Sequence, residues 1–435
     1  MKLTPTLYLY WILLLPLVWP QPGRAELEID IIAGVEGAIP IAVVPFEWTS
    51  PEPPPSQDIS RIVHDDLARS GQFKPMRTHD MADLPHDLSE VNFATWRLLQ
   101  VDYLTVGRMR PLAGGGYEIR FELLDVHSGQ RLLGYALESR EGELRQSAHQ
   151  IADLIYEKIM GVPGAFNTRI AYVVVNQPGL RRYALAVADA DGYGPQYAVQ
   201  SDEPILSPTW SPDGQKLAYV SFEEGRSSIY LQDLRTGQRQ KLASMKGING
   251  APAFSPDGSR LAMALSRSGN LEIYVMDLGS RKLTQLTRHW AIDTEPAWMP
   301  DGRSIVFTSD RAGRPRLYRV AADGSGKPER ISFEGDYNAR ASIAPDGRQV
   351  AMVLGRDNDY RIAVQNLKTG IVRILTPGYL DESPSFSPNG SMIIYAASEA
   401  DRGVLAAVSA DGRVRQRLVL SNGDVREPAW SPFRR

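Results

Sequence analysis

Apolar and polar residues in the second half of the chain recur with a period of about 44 residues. In each copy a short aromatic stretch ends at Pro-Asp-Gly or a similar turn, and an apolar run follows. The proline of this turn stands at positions 212, 256, 300, 345, 388 and 432. Runs such as 217–220 and 229–231 predict strands, and Pro-Asp-Gly and Asp-Leu-Arg-Thr-Gly predict the turns between them. Four strands in each period are typical of a β-propeller blade.

The two ends of this repeat predict a closed ring. Residues 170–173 read as a second strand with no aromatic first strand before it, and residues 428–432 read as a first strand with no second strand after it. We therefore expect the C-terminal strand to complete the blade that begins at Arg169, which gives an all-β six-bladed β-propeller. Closure removes exposed strand edges. The alternative is an open solenoid, which would leave both half-blades unpaired.

The residues ahead of the repeat mix helical and strand patterns. Apolar runs at 39–44, 102–107 and 117–125 predict strands, whereas helical spacing predicts helices over 59–70 and 143–160, each stopped by a glycine. This mixture predicts a small α/β domain. The expected organisation is a signal peptide over 1–25, an extended partner-binding segment over 26–37, the α/β domain over 38–165 and the propeller over 166–435.

The first residues predict export from the cytoplasm. Lys2 precedes an apolar stretch at 7–19, and Gly23-Arg24-Ala25 places small residues where a signal peptidase reads them. The apolar stretch is short for a membrane span, so we expect cleavage after Ala25 and no span afterwards; an uncleaved anchor is the alternative.

Leu27, Ile29 and Ile31 alternate with acidic residues directly after the expected cleavage point. This spacing is typical of a half-buried strand. Glycines at 34 and 37 separate the strand from the α/β domain, so it could join a sheet edge, either its own or a partner's. An ordinary first strand of the domain is the alternative.

Composition excludes several function classes. The 435 residues carry a formal net charge of −3 without a block of basic residues, so a nucleic-acid partner is not expected. Cysteine is absent, which excludes disulfides, thiolate-bound metals and thiol nucleophiles.

Catalytic signatures are also missing from the sequence. It contains no Gly-x-Ser-x-Gly, none of the six histidines forms a His-Glu-x-x-His pair, and the stretch 324–327 is interpreted as a turn. We expect no enzyme activity, cofactor or metal. The alternative is a periplasmic propeller hydrolase or sugar-binding protein, and it would require convergent polar groups inside the central tunnel.

Several motifs carry a resemblance to a known family. They are Gly-Val-Pro-Gly-Ala-Phe-Asn-Thr-Arg-Ile-Ala-Tyr at 161–172, Asn-Gly-Ala-Pro-Ala-Phe-Ser-Pro at 249–256, Thr-Glu-Pro at 294–296 and Leu-Asp-Glu-Ser-Pro at 380–384. Together with the domain ahead of them, they resemble the TolB family over essentially the whole chain after residue 25. The resemblance implies a periplasmic adaptor of the Tol-Pal system, which supports outer-membrane integrity and cell division in Gram-negative bacteria.

The resemblance also implies partners and their sites. The lipoprotein Pal would dock on the mouth of the propeller funnel, the C-terminal domain of TolA would bind the freed N-terminal segment, and bacteriocins are a further class of partner. Carried over as Pal contacts are Asn249, Ala251 and Thr294; the residues expected to ring the same mouth are Gly250, Asp293, Glu295, Arg340, Asp381, Glu382 and Glu427. The TolA-binding residues would be Glu26, Leu27, Glu28, Ile29, Asp30, Ile31 and Ile32.

Overall fold

The computed structural model describes residues 27–33, 37–399, 402–420 and 423–434. They form a six-bladed β-propeller and a small α/β region, which confirms the predicted fold class. The predicted domain boundaries stay predictions, and the predicted signal peptide lies outside the described residues. None of the helices in these ranges is long and apolar enough to cross a membrane.

The α/β region is built on one sheet with the strand order β4-β2-β5-β6-β7, in which β3 also pairs with β5. After β1 (Leu27–Ala33), its elements are β2 (Ile39–Val43), β3 (Glu47–Trp48), α1 (Ile59–Arg69), β4 (Phe73–Pro75), α2 (Phe93–Leu98), β5 (Tyr103–Pro111), β6 (Tyr117–Asp125), β7 (Arg131–Ser139) and α3 (Leu144–Met160). Short 3-10 helices lie at Thr78–Asp80, Leu88–Glu90 and Glu141–Glu143.

Local sequence signals set the bounds of the two long helices. The Asp58 carboxylate accepts a hydrogen bond of 3.0 Å from the Arg61 backbone N–H and caps α1. Gly161, with φ of 72°, ends α3 in the left-handed conformation. The apolar faces of α1 and α3 pack together over the sheet, and Leu67 and Ile151 are fully buried there.

Each propeller blade is an antiparallel sheet of four strands, and in blade 6 the N-terminal strand β1 adds a fifth. Blade 1 contains β8 (Arg169–Val175), β9 (Tyr183–Asp189) and β10 (Gln196–Ser201), and its inner strand comes from the other end of the chain. Blade 2 contains β11 (Ile205–Trp210), β12 (Lys216–Ser221), β13 (Ser228–Asp233) and β14 (Arg239–Ala243). Blade 3 contains β15 (Asn249–Phe254), β16 (Arg260–Leu265), β17 (Glu272–Asp277) and β18 (Leu283–Gln285).

The remaining blades repeat this order. Blade 4 contains β19 (Asp293–Trp298), β20 (Ser304–Ser309), β21 (Arg316–Ala321) and β22 (Glu329–Arg330). Blade 5 contains β23 (Tyr337–Ile343), β24 (Gln349–Arg356), β25 (Asp359–Asn366) and β26 (Val372–Ile374). Blade 6 contains β27 (Asp381–Phe386), β28 (Met392–Glu399), β29 (Arg402–Ser409) and β30 (Arg415–Leu420). The last strand, β31 (Asp424–Trp430), is the inner strand of blade 1.

Ring closure follows from this last pairing. β31 lies antiparallel to β8, with Val425 opposite Val174 and Trp430 opposite Ile170. The two half-blades at the ends of the repeat therefore form one complete blade, as the sequence predicts.

Every inner strand bends at one residue with a positive φ, where the pairing register shifts. In five of the six strands a proline follows this residue, and proline, which lacks an N–H, is tolerated in strands at such bulges. The bend residues are Ser207 (51°), Ala251 (47°), Glu295 (52°), Arg340 (54°), Ser383 (57°) and Glu427 (49°).

Tryptophans at the ends of inner strands connect neighbouring blades. The indole N–H of Trp210 donates to the Ala429 carbonyl, and that of Trp298 donates to the Ala253 carbonyl, both at 3.0 Å. The guanidinium of Arg260 lies 4.6 Å from the centre of the Trp298 ring. These contacts join the inner strands of blades 2 and 4 to the preceding blades.

The α/β region contacts the end of the ring that carries the Pro-Asp-Gly turns. Asn389, in the turn of blade 6, donates from Nδ2 to the Pro163 carbonyl at 2.8 Å. Gly71 lies so close to Val414 that an added Cβ would come within 2.3 Å of a Val414 methyl group. The opposite end of the ring is therefore the one left open to partners.

Removing β31 should destabilise the whole propeller. A chain that stops at residue 423 loses the buried Val425 and the pairing that closes the ring, so we expect its thermal midpoint to fall by at least about 10 °C, measured by calorimetry. The matched control lacks β1, a terminal strand outside the ring, and should lose only a few degrees. Equal losses in the two variants would contradict the assignment of β31 as the closing strand.

Candidate functional site

The six inner strands begin at the same end of the ring, which we call the mouth. The strands start at Ile205, Asn249, Asp293, Tyr337, Asp381 and Asp424. The residues predicted to ring the mouth all lie on these six strands, some at the mouth itself and others at the bends below it. They lie inside the inner strands and not before them, because pairing begins earlier than the aromatic pattern indicates.

Three of the predicted contacts have buried side chains bonded within the chain. The Asn249 amide donates to the Met245 carbonyl at 2.8 Å and accepts from its N–H at 2.9 Å. The carboxylate of Asp293, fully buried, pairs with Arg311 at 2.6 Å. These side chains hold the mouth loops in shape, which limits what they can offer directly to a partner.

Asp381 is the third of these side chains, and it accepts a hydrogen bond from the Thr376 hydroxyl. Burial disfavours its charged form and raises its pKa to about 6, although the Thr376 hydrogen bond acts in the other direction. The residue that follows each of these buried side chains is half-buried and reaches the surface of the mouth. These residues are Gly250, Thr294 and Glu382.

The bend residues line the tunnel below the mouth, where the chamber has a volume of ≈ 360 Å³. At its centre the Arg340 guanidinium lies 3.2 Å from a Glu295 carboxylate oxygen and 3.6 Å from one of Glu427, and it donates to the Ser383 hydroxyl at 2.7 Å. Glu427 also accepts from the Ser207 N–H. The network therefore ties five blades together across the tunnel.

The charge of Arg340 is held by this network. Burial disfavours the guanidinium, but the attraction of Glu427 and Glu295 outweighs burial and raises the pKa of Arg340. Because Arg340 is bound by both glutamates and by Ser383, these charged groups are engaged with one another and do not converge on an open position as a hydrolase or sugar site would require. The tunnel geometry thus favours a structural role for Glu295, Arg340 and Glu427.

An apolar surface surrounds part of the mouth, and the sequence interpretation missed it. It consists of large exposed side chains on the loops that lead into blades 3, 4, 5 and 6. Trp290 is 77% exposed and Phe333 is 67% exposed. We call this surface the apolar crescent; its members are Ile248, Trp290, Ile292, Phe333, Tyr379 and Leu380. Several large exposed apolar residues on neighbouring loops are typical of protein-binding surfaces.

The loop that presents Trp290 is held in one conformation by a side-chain amide. Asn270 Nδ2 lies within hydrogen-bond distance of the His289, Trp290 and Ala291 carbonyls, at 3.2, 2.9 and 2.5 Å. A buried Glu272 also accepts from the His289 N–H at 2.6 Å. Because this loop is already held in place, it would lose little conformational freedom when a partner covers Trp290.

The N-terminal strand lies on the outer edge of blade 6. β1 pairs antiparallel with β30, with Leu27 opposite Leu420 and Ile29 opposite Leu418, so blade 6 has five strands. Of the predicted TolA-binding residues, Leu27 to Ile32 belong to β1, and Glu26 lies outside the described residues. The sequence left open whether this strand joins a sheet edge of its own protein or of a partner. In the structure it joins an edge of its own protein.

Comparisons with known proteins agree with this architecture over nearly the whole chain. The family model for the TolB amino-terminal domain matches residues 27–132, and that for the TolB beta propeller domain matches residues 156–434. A Tol-Pal system protein TolB of Xanthomonas oryzae pv. oryzae is 59% identical over 428 residues, with 97% of both chains covered. One of Xanthomonas campestris pv. campestris is 60% identical over 411 residues, covering 94% of this chain and 93% of its own.

A solved structure is similar as well. The crystal structure of TolB from Acinetobacter baumannii superposes with a TM-score of 0.87 at 42% identity, covering 94% of this chain and 100% of that one. The comparisons indicate no catalytic activity. Both family models match, and the relatives are similar over nearly their whole length. The chain therefore belongs to the TolB family of Tol-Pal system proteins.

Proposed function

We propose that this protein is a non-enzymatic adaptor in the periplasm that binds Pal at the mouth of its propeller and TolA through residues 26–32. In this role it supports outer-membrane integrity and cell division. The observation that carries the proposal is the apolar crescent on rigid loops at the free end of the ring, in a chain of the TolB family.

The mouth has the composition of a protein-docking surface. Large apolar side chains lie outside, and the half-buried Thr294 and Glu382 lie between them and the tunnel. Specific interfaces combine aromatic and other apolar side chains with polar groups, and the mouth offers both. Ile248, where a polar residue would be expected in close relatives, extends the apolar part of this surface.

The N-terminal strand supports the second half of the proposal. Within the described residues, β1 is an edge strand that pairs only with β30, so it can be released without unfolding a blade. Once free, a short strand of alternating apolar and acidic residues can add to a sheet edge of TolA. Docked and free states then compete, and a partner that prefers one of them shifts the balance.

Substitution at the mouth should weaken Pal binding. A long cation at Thr294 would obstruct the rim, so Thr294→Arg should lower the affinity for the soluble domain of Pal from the same organism by at least about tenfold. Isothermal calorimetry with the chain from residue 26 measures this. Thr369→Arg, an exposed position on the opposite end of the ring, is the matched control and should bind normally. A folded parent protein that gives no heat with Pal at any salt concentration would remove the proposed function.

Deleting residues 26–32 should abolish binding to the C-terminal domain of TolA while Pal binding persists. Pal should also change the rate of proteolysis near Gly34, because docking at the mouth would shift β1 between its docked and free states. Pull-down with each partner and limited proteolysis with and without Pal measure the two effects. Retained TolA binding by the truncated chain, or cleavage near Gly34 that ignores Pal, would count against this part.

A further inference from the structure

A buried cluster of charged side chains joins the α/β region to blade 1. Asp66 and Arg69 belong to α1, Arg145 and His149 belong to α3, and Asp191 lies in the turn between β9 and β10 of the propeller. Arg69 Nε lies 2.9 Å from Asp66, and Arg145 pairs with Asp191. His149 is 1% exposed. The cluster therefore places a titratable group from one region directly against a carboxylate of the other.

The imidazole of His149 lies between the two carboxylates. Nδ1 is 2.6 Å from Asp66, whereas Nε2 is 3.8 Å from Asp191 and has no hydrogen-bond partner. An imidazolium carries a proton on both nitrogens and can donate to both carboxylates. In the neutral ring, the proton on Nδ1 stays with Asp66, and the Nε2 lone pair then points at the Asp191 carboxylate. Loss of the proton thus turns an attraction between the two regions into a repulsion.

Charged side chains from α1, α3 and blade 1 surround His149. Facing it are Asp66 and Arg69 from α1, Arg145 and Asp153 from α3, and Asp191 with Asp189 from blade 1. Burial disfavours the imidazolium, but the attraction and hydrogen bond of Asp66 and the attraction of Asp191 outweigh burial and raise the pKa of His149 above its ordinary 6.5. The two arginines already bind these carboxylates, and their positive charges disfavour a metal cation in the same cluster.

We propose that His149 is a proton-operated contact between the α/β region and the propeller, closed when the imidazole is protonated and loosened when it is neutral. The raised pKa sets the sign. The stabilising contribution is fully present below the ordinary histidine value and is lost as pH rises through the higher value in the folded protein. Acidic conditions therefore tighten the contact and alkaline conditions loosen it.

The contact has a second consequence, because Arg69 also touches the strand that holds β1. The side-chain amide of Gln416, in β30, donates to the Arg69 carbonyl. A shift of α1 against the propeller would therefore move the edge on which the N-terminal strand is docked. Protonation of His149 would thus stabilise the docked position of β1.

Two measurements on the full chain without its first 25 residues test the proposal. The first follows the His149 ring by NMR from pH 5 to 9.5. Its pKa should lie above the ordinary value and should fall by at least about half a unit in Asp191→Asn, which removes the propeller carboxylate. A pKa at or below the ordinary value, or one that Asp191→Asn leaves unchanged, would overturn the proposal.

The second follows amide protection factors at residues 69–71 and 414–416 by hydrogen exchange. They should fall about tenfold as pH rises through the His149 pKa and should lose this dependence in His149→Gln. Asp153, whose pKa burial raises to about 6, titrates nearby, so Asp153→Asn is the control and should keep the transition. A transition that persists in His149→Gln, or disappears in Asp153→Asn, would assign it to another group and contradict the proposal.

Discussion

The pairing of β31 with β8 is the constraint on which the rest of the structure depends. It joins the two ends of the repeat, so that blade 1 receives its inner strand from residues 424–430 and its other strands from the start of the propeller. Once the ring is closed, six inner strands begin at one end, and their bend residues must face one another across the tunnel. The cost of closing so long a loop is repaid by burial of strands such as 169–175 on both faces.

Ring closure also gives the polar residues of the mouth and tunnel two different structural roles. Asn249, Asp293 and Asp381 lie where inner strands begin, and each is bonded to a nearby loop or strand. Glu295, Arg340 and Glu427 lie deeper and bind one another. Apolar side chains remain to face a partner, and their exposure would cost solubility if nothing covered them. A binding role explains why so many large apolar residues stand on adjacent loops.

The sequence was informative where one local signal determines the outcome. The repeated turns, the unmatched ends of the repeat and the glycine after α3 predicted the blades, the closure and a helix end. β7 and α2 were missed, because the exposed face of β7 does not alternate cleanly and α2 is only six residues long. The edge that β1 occupies depends on a contact between distant residues, and the hydrogen bonds of Asn249 depend on how its own loop folds back; periodicity reports neither.

The central claim is that a protein partner docks on the apolar crescent, and Trp290 tests it most directly. Calorimetric titration of the Pal soluble domain against Trp290→Ala should show an affinity at least about 30-fold weaker than for the parent chain, because truncation of a preorganised aromatic anchor costs about 2 kcal/mol or more. Ile371 is an exposed apolar residue at the opposite end of the ring, and Ile371→Ala should bind like the parent. If Trp290→Ala binds Pal with the parent affinity, the crescent is not the docking surface and the account of the mouth is contradicted.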